Sequence, residues 1–420
     1  MKDNGIRAKR AIEALRSGVP NRDAVRELGS SHAAIEAAFL NRLGLTRQGG
    51  AAGGLVVSGD FGSGKSHVLE YLQHAALERN YVASKVVISK ETPLHDVGKV
   101  FRTAVHSARL PDRKGAALDE IADALSTRRD TADYRAFSEW LHSPESGIND
   151  RFAASLYLYN ETRGDLALLD RIVRFWAGDK LNVSELRREL KAVGEAATYA
   201  FPKITEKELA LQRFLFASRL IRAAGYAGWV LLLDEIELIG RYSLLQRAQS
   251  YAEVTRWVDP HEPAAIPGIA AVLTVSQDFG SAVIEDKGDF DQAPNRLRVR
   301  GKAGDEDLAR RAEIGMRQLR RESTLLLDPP DLNVLTQTYV RLRELHGAAY
   351  DWAPPELAVE QLDGSLPMRQ YVRRWIYDWD LRRLYPGHRP EIEVDSVIAD
   401  FREDKDLTSV EDDWGDRGVD

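Results

Sequence analysis

Leu55-Val56-Val57-Ser58-Gly59-Asp60-Phe61-Gly62-Ser63-Gly64-Lys65-Ser66 is the stretch on which the reading of this chain turns. Leu55 to Val57 is a short apolar run of the kind that makes a fully buried parallel strand, and the residues from Gly59 to Ser66 satisfy G-x-x-x-x-G-K-[ST]. Ser66 to Arg79 continues as a helix with Val68, Leu69, Leu72, Ala75 and Ala76 on one side. Strand, glycine-rich loop and helix in that order make a phosphate cradle. The glycines let backbone N–H groups turn inward, and the helix presents its positive end to the same point. Lys65 would reach the β and γ phosphates of a nucleoside triphosphate. Ser66 would offer its hydroxyl to Mg²⁺, a hard cation that prefers oxygen. The bland alternative is an ordinary Gly-rich turn, which the flanking strand and helix disfavour.

Working outward, Arg47 to Gly54 is a glycine-punctuated connector, and residues 6–44 read as two short helices around the turn from Ser17 to Arg22. Tyr81 to Ile88, rich in valine, is a second strand, so a βαβ unit and a parallel sheet are expected. From about Val97 to Ala224 the pattern is almost wholly helical, which is longer than a crossover needs and predicts an inserted helical module. Gly228 to Leu233 is a third strand, Ile269 to Val275 a fourth and Thr324 to Leu327 a short fifth; helices near Leu332 to Leu345 and Met368 to Leu384 would form a lid. The expected fold class is α/β: a three-layer αβα P-loop core with a parallel sheet, a helical insertion and a small C-terminal helical lid. The division that follows is a helical segment at 1–48, an αβ core at 49–328 with its insertion at about 97–224, a lid at 329–386 and an acidic tail at 387–420.

Three further places carry chemistry. Trp229-Val230-Leu231-Leu232-Leu233-Asp234-Glu235 has the Walker B form, a buried strand delivering an acidic pair at its C-terminal edge. Asp234 would hold Mg²⁺ and Glu235 would polarise the attacking water; a strand with a solvated acidic end is the bland alternative. The fourth strand ends Thr274-Val275-Ser276-Gln277-Asp278 and would lie between the P-loop and Walker B strands. There Thr274 or Ser276 could bond the γ-phosphate or the lytic water, unless both hydroxyls only cap the strand end. Arg369, at the start of the lid helix, could reach back to the phosphates, with a solvated basic face including Arg373 and Arg374 as the rival. Arg296, Arg298, Arg300 and Lys302 follow the fourth strand and could serve as a finger for a neighbouring subunit, contact DNA phosphates, or be surface.

Composition limits the alternatives. With 420 residues the chain can bury a large core. It has no cysteine, so neither a disulfide framework nor a cysteine zinc site exists, and a reducing cytoplasmic location is expected. No stretch approaches a membrane span. The net charge of −7 means that any nucleic-acid contact must come from local basic stripes. Acidic residues from Phe401 onward read as a solvated tail.

Four segments, Ala11 to Arg22, Gly59 to His67, Glu91-Thr92-Pro93-Leu94-His95 and Tyr242-Ser243-Leu244-Leu245-Gln246-Arg247, resemble the ATP-binding proteins of the BREX (bacteriophage exclusion) systems, of the BrxD type. The likeness runs from Ala11 to about Leu384. It implies an AAA+ core akin to origin-recognition ATPases, a role in antiphage defence, and operation beside DNA or a helicase-like DNA-processing partner. It also implies that Pro20, Asn21 and Arg22 pack on adenine. The origin-recognition group ends in a winged-helix domain, whereas an acidic stretch follows the lid here, which weighs against autonomous duplex binding. No chemical role can be derived for Glu91 to His95. The expectation is therefore an ATPase using ATP and Mg²⁺, with a homo-oligomer as one assembly open to it; the alternative is a nucleotide-gated scaffold that hydrolyses little and recruits partners.

Overall fold

The computed structural model describes residues 2–18, 21–111, 116–162, 164–195, 197–357, 366–387, 400–404 and 418–419. Three helices open the chain: α1 (Lys2–Ser17), α2 (Arg22–Leu28) and α3 (Ala33–Arg47). Then come β1 (Leu55–Gly59), α4 (Lys65–Glu78) and β2 (Val82–Val87). Seven helices follow: α5 (Val97–His106), α6 (Ala117–Ser126), α7 (Ala132–His142), α8 (Asp150–Glu161), α9 (Leu166–Ala177), α10 (Val183–Ala192) and, after the two-residue β3 (Ile204–Thr205), α11 (Glu206–Ala223). The core resumes with β4 (Trp229–Asp234), α12 (Leu244–Val258), β5 (Ile269–Ser276), α13 (Asp289–Arg300), α14 (Asp305–Gln318) and β6 (Leu325–Leu326). Helices α15 (Leu332–Tyr350) and α16 (Met368–Leu384) come next, and β7 (Gly418–Val419) pairs antiparallel with β3.

Five strands form one parallel sheet in the order β2-β4-β5-β1-β6. The strand ending in hydroxyls, β5, therefore lies between β1 and β4, as the sequence predicts, and the fold is the α/β P-loop core. Period-2 alternation decides which helices cover which face. Val57, Val230, Leu232, Ala270 and Val272 share one core with Phe39 and Leu43 of α3 and Leu69 and Leu72 of α4. Their neighbours Val56, Leu231, Leu233, Leu273 and Val275 face the opposite core, with α5, α11 and α12. That second core runs without a break into the seven-helix stretch. Phe214 of α11 sits 5.6 Å from Trp229 and 5.0 Å from Trp257, and Phe101 of α5 edges onto Phe214 at 4.9 Å.

The N-terminal helices divide between two partners. While α3 packs on the sheet, α1 and α2 join α15 and α16 in a separate core of Ala11, Ile12, Leu15, Ala24, Leu342, Trp375 and Trp379. Arg16 fixes the junction, bonding Asp380 at 2.9 Å and the Tyr350 hydroxyl at 2.8 Å. Residues 400–404 correct the expectation of a solvated tail. Phe401 packs edge-on against Phe279 at 6.3 Å, Asp404 pairs with Arg241 at 2.7 Å and Glu403 with Arg247 at 2.6 Å. The remainder of the acidic stretch lies outside the described residues, apart from the backbone of β7. Among the described residues no helix is long and apolar enough to cross a membrane.

Candidate functional site

The loop from Gly59 to Gly64 joins β1 to α4 in backbone conformations that only glycine accepts readily: Gly62 has φ 82° and Gly64 φ 108°. Gly64 caps α4 without any side-chain bond to the first turn, so the helix end is left for a ligand. The Ser63 hydroxyl is buried here with no partner among the described residues. Lys65 lies along the loop, donating to the Gly59 carbonyl at 2.8 Å, and its Nζ is 3.6 Å from Glu237. Asp60 and Phe61 form the outer edge of the loop, with Phe61 about half exposed.

Asp234 is the point of convergence. Its side chain is buried at the C-terminal end of β4, and its two oxygens take different partners. Ser66 Oγ donates to Oδ2 at 3.0 Å, and the Lys85 ammonium stands 3.3 Å from the same oxygen. Thr274 Oγ1 donates to Oδ1 at 2.6 Å and the Glu235 N–H at 3.1 Å. The register explains this: β4 and β5 run parallel with Leu233 beside Leu273, which sets Asp234 next to Thr274.

Glu235 turns away from the strand in the left-handed region at φ 61°, an uncommon conformation for a residue with a side chain. Burial raises its carboxyl above the ordinary value, and the Asp234 charge adds to this, while Lys85 and Lys65 act in the opposite direction. Glu237 is raised as well, first by burial, with Lys65 opposing. Its Oε2 is buried without a partner among the described residues. The spacing Asp234-Glu235-Ile236-Glu237 is visible in the sequence, but nothing local reveals that Glu237 folds back onto Lys65.

The two hydroxyls of β5 differ. Thr274 is engaged by Asp234, whereas Ser276 sits beside Gly59 in the strand register with its Oγ buried and unpartnered among the described residues. Gln277 follows, a residue to which the sequence alone assigns no role. Its amide lies between the loop and Arg321; assigned with the nitrogen toward Asp60, as the surrounding donors and acceptors require, it donates to Asp60 Oδ1 at 3.2 Å and accepts from an Arg321 terminal nitrogen at 2.8 Å. Arg369 is at the loop too. Its N–H donates to the Gly62 carbonyl at 3.3 Å, its guanidinium lies 5.9 Å from the Phe61 ring and packs against Gly18, and its Nε is buried without a partner among the described residues.

Other candidates stand elsewhere. His67 points away from the loop, its Nε2 2.9 Å from the carbonyl of Gly29 at the end of α2, so it ties the N-terminal helices to α4. Asn21 caps α2, accepting from the Ala24 N–H at 2.9 Å, and Arg22 opens that helix with its side chain exposed. Pro20 lies outside the described residues. Arg298 pairs with Glu306 and Glu313 and Arg300 with Asp305, all on α14, so those two arginines are held by their own chain. The Tyr242 to Arg247 segment is structural in its contacts: Ser243 and Gln246 form a capping box on α12 and Arg247 pairs with Asp289. The Tyr242 hydroxyl donates to the Ser89 carbonyl at 3.0 Å and its ring meets His95 edge-on at 5.5 Å, which joins this segment to Glu91–His95.

The oxygen donors fit a magnesium ion better than any all-protein metal site. A hydroxyl from the first turn of α4 and a carboxylate from the end of β4 converge within one coordination shell, leaving the other positions to water and phosphate as Mg²⁺ prefers. Among the described residues no three His, Cys, Asp or Glu side chains group as a metal cage. No curated protein matches the chain. A protein family does, over residues 6–362, and its description is BREX system ATP-binding protein BrxC/D. With a P-loop, an acidic strand end and the intervening strand now seen on one sheet edge, and the match spanning most of the 420 residues, the chain belongs to the BrxC/D family of BREX system ATP-binding proteins.

Proposed function

We propose that this protein binds Mg-ATP at the β1–α4 loop and hydrolyses it, working in the BrxD-type role of a BREX antiphage system and coupling turnover to DNA or to a helicase-like DNA-processing partner. The observation that carries this reading is the 3.0 Å approach of Ser66 Oγ to Asp234 Oδ2, which brings the two expected metal ligands within one shell. Loop N–H groups and Lys65 hold the triphosphate, and Ser66 and Asp234 hold the metal. When bound there, Mg²⁺ offsets charge on the β and γ phosphates. Glu235 takes a proton from the attacking water. Its raised affinity for protons, set by burial and by Asp234, suits a base that must accept one.

Ser276 is favoured over Thr274 for contact with the γ-phosphate or the water, because its hydroxyl is uncommitted whereas Thr274 holds Asp234 in place. Arg369 carries the lid's charge to the phosphates, since α16 begins against Gly62. In this reading Asn21 shapes the turn before α2, and the adenine contact rests on its neighbours. Lys65→Ala should abolish ATP binding, and Glu235→Gln should retain binding while turnover falls on the order of a hundredfold or more. Normal turnover by the glutamine variant would remove Glu235 from the role of base. Rates measured with and without single- and double-stranded DNA separate a coupled ATPase from a scaffold that hydrolyses little.

A further inference from the structure

A lysine stands in the sheet where the pattern calls for an aliphatic side chain. In β2, Ala83 and Lys85 point to the α3–α4 face, paired in register with Val230 and Leu232 of β4. Ala83, Val230 and Leu232 are all in the apolar core on that side. Lys85 instead runs its stem along this surface and delivers its ammonium to the sheet edge, 3.3 Å from Asp234 Oδ2. Asp234 does not require it for satisfaction, since Ser66, Thr274 and the Glu235 N–H already donate to the carboxylate. Lys85 also has a second acid nearby. Burial opposes ionisation of Glu70, one turn beyond Ser66, yet His74, Arg109 and Lys85 together hold its carboxyl below the ordinary value. A positive charge placed on the same oxygen that faces Ser66 has one direct consequence: it weakens the pull of that carboxylate on any other cation.

We propose that Lys85 sets the divalent-metal affinity of the Ser66–Asp234 site, keeping it too weak to retain the metal alone, so that metal enters and leaves with the nucleotide. The inference rests on the reading that these two residues share a metal. It makes Lys85 a positioning and tuning residue that touches a ligand of the metal and no reacting atom.

The test is titration of the full-length protein with Mn²⁺, following free Mn²⁺ by electron paramagnetic resonance, first without nucleotide and then with a non-hydrolysable ATP analogue. Lys85→Met should tighten Mn²⁺ binding without nucleotide by roughly tenfold or more, the size expected when a unit charge about 4 Å from a divalent ion is removed under water-like screening. Lys85→Arg, which keeps the charge, should bind as wild type does, and adding Asp234→Asn to Lys85→Met should cancel the gain. Thermal melting checks that each variant is folded, and Lys85→Gln carries the same expectation if the methionine variant is not. Equal Mn²⁺ affinity in Lys85→Met and wild type, with nucleotide-dependent binding intact in both, overturns the role of Lys85 alone. Failure of wild type to bind Mn²⁺ with the analogue sinks the shared-metal reading and this inference together.

Discussion

Asp234 at the end of β4 and Asp289 at the start of α13 are enclosed to the same degree, with exposures of 3% and 0%, but their partners differ in kind. Asp289 receives both arms of Arg247, at 2.8 and 2.9 Å, and the Tyr251 hydroxyl at 2.7 Å. A rigid guanidinium fork fills the carboxylate's geometry and leaves nothing for a ligand. Asp234 is met by two hydroxyls, one N–H and a lysine on a flexible stem, each of which can yield or turn toward something else. A buried carboxylate closed by arginine holds elements together. One surrounded by small neutral donors and a lysine is prepared for exchange.

The largest effects come from exchanging the two fates. Asp234→Asn should lower ATP turnover on the order of a hundredfold or more and leave the urea midpoint nearly unmoved, because the amide oxygen can keep Thr274 and the Glu235 N–H while the Ser66 hydroxyl rotates to accept from the amide NH₂. Asp289→Ala should cost about 3–5 kcal/mol in urea unfolding by leaving Arg247 buried with a half-exposed partner. A large loss of stability in Asp234→Asn would erase the distinction.

Burial with no opposite charge in contact gives a third case. His95 is held neutral against Tyr242, its pKa pushed down to about 4 by burial, with Asp96 and Glu253 favouring the charged form and Lys99 and Lys207 disfavouring it. The sign is fixed by linkage: the unfolded chain, with a histidine near 6.5, binds more protons between these values, so stability rises with pH across that window and is lost on acidification. His95→Gln should flatten the difference between pH 6.5 and 4 by about 2 kcal/mol, measured as wild type minus variant so that carboxylates common to both cancel. An unchanged slope would show that His95 accepts its proton in the folded state.

These contrasts mark what can be read from the residues alone. The strands themselves and the residues that meet at Ser66 and Asp234 follow from local signals, a glycine pattern, apolar runs of strand length and an acidic pair at a strand end, and the P-loop pattern adds that β5 lies between β1 and β4. Lys85 left a local trace too, as a charge in a valine-rich strand, but its partner lies some 150 residues away in the chain and no periodicity connects them. The docking of α1 on α15 and α16 is hidden for the same reason. An amphipathic helix declares that it has a buried face without declaring what covers it. Nothing near Arg247 in the chain names Asp289, 42 residues on, as its partner.

The junction of α1 with α15 and α16 carries a smaller effect of the same type. Arg16 spans Asp380 and Tyr350, and Asp380 also bonds the buried His346 at 3.1 Å, so this carboxylate is closed as Asp289 is, though nearer to solvent. Arg16→Met should cost about 1–2 kcal/mol in urea, less than Asp289→Ala because water can reach the vacated oxygen.

The smallest expected effect lies on the third side of Arg247. Glu403 reaches it at 2.6 Å from the docked 400–404 segment, but its side chain is 53% exposed. Screening by solvent limits such a contact to about 0.5–1 kcal/mol, well below the Asp289 pair on the same guanidinium. A double-mutant cycle with Glu403→Ala and Arg247→Met, in which the loss of the Asp289 pair is common to both arms and cancels, measures it directly. A coupling as large as that of Asp289 would mean that the segment completes the buried pair, and that closure of Arg247 depends on chain more than 150 residues downstream.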